Sequence, residues 1–174
     1  SYLCYAPESG SEKTLKDIKK QIDLHSVIES VKQSKKIGLI TRVNLIIGFP
    51  EETRLDIYKT LWLGIKSAVY GVDDIQPYIF NPYPGSELFD QAVAEGKVTL
   101  GDEYFMSISV QNSDLTNFNP VTFNDNIPNW ELALYRLVIT LLCYGLSYLL
   151  YPSRILRTIR NVRGDHRAVF DRHA

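Results

Sequence analysis

The sequence predicts an α/β fold in which three strand–helix units form a parallel sheet and a helical tail follows. Short apolar segments at 2–7, 39–47 and 74–80 are each followed by helix-capping residues or helical spacing. Strands that alternate with helical crossovers form parallel sheets. The run 137–151 then lacks any charged residue, which predicts an apolar helix in the tail.

The first unit joins strand 2–7 to a helix that runs to about Lys20. Ser9 is its candidate N-cap, and Glu12 stands three residues later, at the spacing of a capping box. Asp23 is the candidate cap of a second helix. The apolar residues of that helix fall at i, i+3, i+4 and i+7, which is one helical face: Leu24, Val27, Ile28 and Val31.

The second and third units follow the same plan. Segment 39–47 is nearly continuously apolar and rich in β-branched residues, which is typical of a strand buried on both faces. Glu51 and Glu52 then favour the positive N-terminal end of a helix. After strand 74–80, Ser86 is the candidate cap of another helix. We expect each of the three helices on the same face of the sheet.

The remainder of the chain divides into a loop and a tail. Residues 1–105 hold the strand–helix units, and 106–128 are polar and rich in asparagine, which predicts an irregular connection. Residues 129–174 predict an apolar helix that ends at Pro152 and a basic helix after it. That basic helix carries an arginine at every third position: Arg154, Arg157, Arg160 and Arg163.

Charge and cysteine content exclude some functions. A net charge of −1 argues against nucleic-acid binding, which needs a broadly basic face. Cys4 and Cys143 are the only cysteines and are far apart, so the sequence predicts no cysteine metal site within this chain. Few, unclustered cysteines are typical of a reducing compartment, which predicts a cytoplasmic location.

Polar residues at the ends of the first two strands are candidate ligand contacts, because parallel sheets carry function at the carboxyl ends of their strands. Glu8 and Ser9 can bind an amine or a ribose, although the same residues also suit a plain helix cap. Asn44 is an amide in an apolar strand and must find partners. Ile46 and Gly48 can form a flat apolar seat for an adenine.

The third candidate site follows the third strand. Two prolines and a glycine stiffen the turn at 81–85. Tyr78 and Phe80 precede that turn and can stack on a purine, or pack in the core. No residue of the chain is assigned a catalytic role.

Taken together, three runs resemble the second half of the radical S-adenosylmethionine (radical SAM) barrel. They are Glu8-Ser9-Gly10-Ser11, Ile46-Ile47-Gly48-Phe49-Pro50-Glu51-Glu52-Thr53 and Phe80-Asn81-Pro82-Tyr83-Pro84-Gly85-Ser86-Glu87-Leu88. The resemblance covers residues 1 to about 105 and is to the branch that carries a cobalamin-binding domain. It implies the C-terminal half of a TIM-type barrel. It also implies an enzyme that cleaves SAM reductively to a 5′-deoxyadenosyl radical, for methyl transfer or cyclisation at an unactivated carbon.

The resemblance implies roles for individual residues. Glu8, beside Ser9, matches a position that contacts the amino-acid or ribose part of SAM. Lys20 matches a basic position that pairs with the SAM carboxylate, and Asn44 a ribose-contacting position. The remaining matched positions support or flank the adenine: Ile46, Gly48, Tyr78 and Phe80.

The chain departs from this family in one respect. The family holds a four-iron, four-sulfur (4Fe-4S) cluster through a CxxxCxxC loop, and Cys4 and Cys143 cannot replace three thiolates. The resemblance therefore implies that the cluster ligands, the N-terminal half of the barrel and any cobalamin domain lie outside this chain, which is inactive alone. The substrate is expected to be a small molecule or a lipid- or polyketide-like compound.

Other classes of function stay open. One is a non-catalytic, nucleotide-binding half-barrel. A class I aldolase-type barrel needs a lysine at a strand end, and the three predicted strands contain none. A third is a membrane-associated protein, in which 137–151 lies in a membrane interface or spans the bilayer, although it is shorter than the roughly 20 residues of a span. The helix can equally pack against the rest of the enzyme, and arginines beside it suit solvent or anionic lipid. Peripheral membrane contact through 129–163 is therefore a further expectation.

Overall fold

The structure, a computed structural model, describes residues 2–112 and 114–162. Within these residues the chain forms three strands and seven helices. In chain order they are β1 (Tyr2–Glu8), α1 (Glu12–Asp17), α2 (Leu24–Lys36), β2 (Ile40–Ile47), α3 (Arg54–Val69), β3 (Asp74–Ile79), α4 (Glu87–Ala94), α5 (Asp102–Gln111), α6 (Asn129–Leu150) and α7 (Ser153–Val162).

The three strands form one parallel sheet in the order β1-β2-β3. Asn44 of β2 lies opposite Gln76 of β3, and Ile46 lies opposite Tyr78. The predicted α/β class, with three parallel strands separated by helices, is therefore confirmed. The sheet is open, and the half-barrel expectation stays a prediction.

One face of the sheet is covered by helices and the other is open. Val43, Leu45 and Ile47 are fully buried, whereas the residues between them are partly exposed. The prediction that β2 is buried on both faces is therefore wrong, because an apolar run does not show which face is covered. The larger core joins the buried face of the sheet to α2, α3 and α6.

Helix α6, rather than α4, covers β3. The close approach of α6 to α3 depends on Gly64, where a Cβ atom would lie 3.0 Å from Sγ of Cys143. Phe89 and Ala92 of α4 instead belong to a second apolar cluster, together with Phe49 and other residues near the carboxyl ends of the strands. The expectation that all three helices share one face therefore holds for α2 and α3 but not for α4.

Helix α5 begins at Asp102 and extends into the segment 106–128, which was predicted as an irregular loop. Its Tyr104 and Ile108 are buried in the second cluster, and the Tyr104 hydroxyl donates a hydrogen bond to the carbonyl of Pro82. Burial of these two side chains stabilises a helix in a polar segment, which local composition did not indicate. The chain from 114 to 128 is irregular, as predicted.

The tail contains the two predicted helices, but one arginine lies elsewhere than expected. Arg154 is buried and donates to the carbonyls of Gly71 (2.6 Å) and Val72 (2.7 Å), and it lies 3.3 Å from Asp73. It therefore anchors α7 to the turn before β3 and is not part of a solvated basic stripe. Arg163 lies outside the described residues.

Helix α6 is long and apolar enough, by length and composition alone, to cross a membrane. In the structure one stripe of it is buried against α3 and β3. That stripe consists of Leu132, Ala133, Arg136, Ile139, Cys143 and Ser147.

Candidate functional site

A cavity of about 640 Å³ lies at the carboxyl ends of β2 and β3. Small-molecule sites commonly have volumes of roughly 300–1,000 Å³. Five of the eight predicted site residues line this cavity: Glu8, Lys20, Ile46, Tyr78 and Phe80. Residues from three separate parts of the sequence therefore share one concave, mostly apolar site.

A charged pair lies at one side of the cavity. Nζ of Lys20 lies 2.8 Å from Oε1 of Glu8 and also donates to the carbonyl of Ala6 at 2.5 Å. Lys20 is in the turn after α1, not within a helix as predicted, because Lys19 leaves the helical conformation with φ 58°. The pair offers one negative and one positive group, which complements the two charges of an amino acid.

The end of β1 is distorted at Glu8. Its φ is 66°, in the left-handed region that glutamate rarely adopts. The pairing register between β1 and β2 also shifts between Tyr5 and Glu8. Bulges of this kind occur beside active sites, where they redirect a side chain. The distorted backbone at Glu8 therefore allows its side chain to reach Lys20 and the cavity.

Apolar and aromatic side chains form a slot beside the charged pair. Ile46 and Tyr78 are neighbours on the open face of the sheet. The rings of Phe49 and Phe80 pack with centroids 4.7 Å apart. Burial raises the pKa of Tyr78, so its phenol is neutral at physiological pH. A flat heterocycle such as a purine suits these surfaces.

Ser9 does not line the cavity. It is fully buried and bonds to Oγ1 of Thr60 at 3.0 Å and to Oε1 of Glu52 at 3.4 Å. The N-cap of α1 is Ser11, whose hydroxyl accepts from the N–H of Thr14. The predicted capping role of Ser9 is therefore wrong, because its side chain makes tertiary hydrogen bonds instead.

Gly48 and Asn44 also lie outside the cavity lining. Gly48 has φ 84°, and a Cβ there would lie 3.1 Å from a methyl group of Leu132, so this glycine permits close packing under β2. Asn44 lies on β2 opposite Gln76, two residues before Ile46. Its Oδ1 is buried and accepts no hydrogen bond in the described part of the chain. Of the candidate ligand contacts Glu8, Asn44, Gly48 and Tyr78, the cavity lining therefore includes Glu8 and Tyr78.

Several residues of the site were not predicted from the sequence. The side-chain amide of Asn112 accepts a hydrogen bond from the N–H of Ile79 (3.0 Å) and donates one to the carbonyl of Ile79 (3.3 Å). It therefore satisfies the backbone groups of the last residue of β3. Ile18, Asn81, Leu88 and Ile108 also line the cavity. Asn112 and Ile108 belong to the segment that was predicted as a loop, where no motif indicated a site.

Glu52 is a buried carboxyl group beside the cavity. It accepts hydrogen bonds from the N–H groups of Gly48 (2.7 Å) and Phe49 (3.3 Å) and from the hydroxyl of Thr14 (3.3 Å). Burial raises its pKa to about 7, although these hydrogen bonds act in the opposite direction. Glu52 precedes Thr53, the N-cap of α3, and so lies outside the helix it was predicted to begin.

The described residues do not fit an iron–sulfur cluster. Across 2–112 and 114–162, no group of three histidine, cysteine or acidic residues is placed to hold a metal ion. Cys4 is exposed, whereas Cys143 is buried in the larger core, where burial raises its pKa. A 4Fe-4S cluster of the resembled family needs three thiolates in one loop, and these two cysteines lack both the number and the placement.

Comparisons with known proteins give two relatives, and no family model matches the chain. An uncharacterized methyltransferase of Pyrococcus horikoshii is 39% identical over 87 residues, which are 50% of this chain and 18% of that protein. A protein of Methanocaldococcus jannaschii, named as a methylthiotransferase, is 30% identical over 96 residues, which are 55% of this chain and 21% of that protein. The matched region therefore spans only about a fifth of either relative.

Proposed function

We propose that this chain is the SAM-binding part of an enzyme that transfers a methyl or methylthio group. The observation that carries the proposal is the cavity in which the Glu8–Lys20 pair adjoins an aromatic slot. The names of the two relatives, a methyltransferase and a methylthiotransferase, support the same class of reaction. The cavity volume suits a ligand of this size.

Each end of SAM finds a complementary group in this arrangement. The ammonium of its methionine part would lie against Glu8 and its carboxylate against Lys20, so two charge-assisted contacts replace one internal ion pair. The adenine would enter the slot formed by Ile46, Tyr78 and Phe80. These residues bind and orient SAM, and they shield it from water.

The finer proposal is the radical SAM reaction type in a partial TIM-type barrel. It is supported by the three sequence runs that resemble that family and by the open, parallel sheet. The 4Fe-4S cluster that supplies the electron in that family would be held outside this chain, as would any cobalamin domain. The other half of the barrel would pair with the edge of β1, where Tyr2 and Leu3 are exposed.

Calorimetric titration of SAM into the full-length protein tests the binding proposal. We expect Lys20→Gln to weaken SAM binding by about tenfold or more, because a hydrogen bond to a charged group contributes about 1.5–3 kcal/mol. Lys19→Gln is the matched control, since Lys19 is the neighbouring residue and pairs with Glu87 at an exposed position. Equal effects of the two changes, or no binding by the wild-type protein, would overturn the proposal.

A non-catalytic nucleotide-binding module is the alternative outcome. It predicts that the full-length protein binds adenosine and SAM with similar affinity and does not consume SAM in the presence of a reductant. The charged pair favours SAM, because adenosine has no charged group to pair with Glu8 or Lys20. A clear preference for SAM over adenosine, together with its consumption, supports the enzyme.

We also propose peripheral membrane contact through the tail, which a specific observation favours. Leu141 and Leu149 of α6 and Leu156 of α7 are exposed. Flotation of the full-length protein with anionic liposomes, with and without residues 129–174, tests this contact. Attachment that needs the tail supports the proposal, whereas no flotation at low salt, where electrostatic attraction is strongest, assigns the helices to packing.

A further inference from the structure

A buried polar network joins the loops that follow β1 and β2. These are the β1 loop, residues 8–11, and the β2 loop, residues 48–53. Oε1 of Glu52 accepts from the hydroxyls of Ser9 (3.4 Å) and Thr14 (3.3 Å), while its Oε2 accepts from the N–H groups of Gly48 (2.7 Å) and Phe49 (3.3 Å). One carboxyl group therefore bonds to both loops and to α1.

The partners of Glu52 adjoin the walls of the cavity. Ser9 directly follows Glu8, and Phe49 itself lines the cavity. Thr14 belongs to α1, whose far end leads to Lys20. Glu52 itself is 1% exposed and does not line the cavity, so it can act on a ligand only through these neighbours.

We propose that Glu52 is a positioning residue, which holds the β1 loop against the β2 loop and thereby sets the placement of Glu8 and Phe49 in the SAM site. This inference rests on the proposed function of that site. The packing of the β1 loop supports a fixed arrangement, because a Cβ at Gly10 would lie 2.3 Å from the backbone carbonyl oxygen of Lys59. Close packing on α3 therefore holds Gly10, while the contacts of Glu52 join Ser9 to the β2 loop.

The surroundings of Glu52 are acidic. Asp17 of α1 and Glu51 line a small cavity together with Glu52, and the charge of Asp56 of α3 acts on Glu52. The nearby lysines already have carboxylate partners, since Lys13 pairs with Asp17 and Lys59 with Asp56. In the described part of the chain no ion pair involves Glu52, so its ionisation near pH 7 is opposed by burial and by its neighbours.

The two oxygens of Glu52 differ in what they can tolerate. The N–H groups at Oε2 can only donate, whereas the hydroxyls of Ser9 and Thr14 at Oε1 can donate or accept. A glutamine can therefore place its carbonyl oxygen at the Oε2 position and its NH₂ group at the Oε1 position. It then satisfies the whole network without a charge. Glu52→Ala removes all of these contacts.

The test compares SAM affinity in the full-length protein with glutamate, glutamine or alanine at position 52. We expect Glu52→Gln to bind SAM within about threefold of wild type at pH 6 and Glu52→Ala to bind at least about tenfold more weakly, since buried donors lose their acceptor. Ile139→Ala is the control, because it empties part of the larger core and destabilises the fold without touching either loop.

A pH series separates positioning from a direct charge effect. As pH rises from about 6 to 8, Glu52 ionises but keeps its acceptor bonds, so we expect the SAM affinity of wild type to stay within about threefold of Glu52→Gln across this range. Hydrogen exchange of the Gly48 and Phe49 amides gives a ligand-free readout: protection in the glutamine variant and loss of protection in the alanine variant.

The outcomes are distinguishable from those of the proposed function. If wild type does not bind SAM, the proposed function fails, while amide protection still tests the loop anchor. If wild type binds SAM and Glu52→Ala binds equally well, or if Ile139→Ala weakens binding as much, the positioning role is wrong. Should Glu52→Ala not fold, Glu52→Asp serves in its place, because its shorter side chain cannot reach both loops.

Discussion

Replacement of Arg154 tests how the helical tail is attached. Its guanidinium is buried at the start of α7, donates to the carbonyls of Gly71 and Val72 and pairs with the buried carboxylate of Asp73. Arg154→Ala removes these contacts together and leaves the Asp73 carboxylate without this cation. A solvated arginine, as the sequence predicted here, would have no such role.

The expected loss is large because the pair is buried. Removal of one partner from a buried ion pair costs about 3–5 kcal/mol, whereas exposed pairs contribute about 0–1 kcal/mol. We therefore expect Arg154→Ala to lower the free energy of unfolding by about 3–5 kcal/mol. Arg154→Lys should recover only part of this, because lysine lacks the planar fork that reaches two carbonyls at once.

Urea unfolding followed by circular dichroism measures this loss. Arg54→Ala is the matched control, because Arg54 makes a two-pronged pair with Glu131 at an exposed position, with both distances 2.6 Å. That variant should lose no more than about 1 kcal/mol. A loss at Arg154 no larger than the loss at Arg54 would refute the buried anchor.

Three further predictions give distinct outcomes. Gly145→Ala in α6 should raise the free energy of unfolding by about 1 kcal/mol, because nothing lies within 4 Å of the new methyl group. Gly64→Ala should lower it, because the methyl group would overpack the contact with α6. Changes of equal sign in urea unfolding would contradict this packing. Burial would raise the pKa of Asp56, but its hydrogen bonds and nearby Lys59 lower that pKa to about 2. The Asp56 carboxylate should therefore contribute about 2.5 kcal/mol of stability above pH 3.8, which is lost as pH falls towards 2. A stability–pH curve that is unchanged in Asp56→Asn would be inconsistent with this. Glu8→Gly should weaken SAM binding but leave the melting temperature nearly unchanged, because relief of the left-handed backbone offsets the loss of a weak ion pair. A large drop in melting temperature with intact SAM binding would contradict a ligand-binding role for Glu8.

Local signals in the sequence were sufficient for the strands and for two helix starts. Asp23 and Ser86 cap α2 and α4 as predicted, because each side chain bonds to the N–H groups of its own helix. Ser9 was the predicted cap of α1, but Ser11 caps this helix in the structure. The Ser9 side chain instead bonds to Glu52 and Thr60, which are distant in sequence, so local spacing did not indicate the difference.

Less of the candidate site than of the fold could be predicted from the sequence. Parallel topology brings the carboxyl ends of strands to one edge, and four of the predicted cavity residues lie at or near such ends: Glu8, Ile46, Tyr78 and Phe80. Lys20 was predicted from the family resemblance alone. The part of the cavity wall that α5 supplies depends on the packing of Tyr104 and Ile108, which no local pattern indicated. Glu52 resembled an ordinary first-turn acid, and its buried role depends on two loops distant in sequence.

The composition of α6 explains why its environment is hard to predict. Its buried stripe includes Arg136 and Ser147, and the Arg136 guanidinium donates to the carbonyl of Asp114. Leu141, Leu142 and Leu149 are exposed instead. Two polar side chains therefore lie inside among apolar ones, while several leucines lie outside, so the outer face of α6 is less polar than that of a helix at a water-exposed surface. Hydropathy averages the two faces and cannot separate them. Burial of the exposed leucines needs an apolar partner. A membrane is that partner only if the full-length protein floats with anionic liposomes and loses this attachment when the tail is removed.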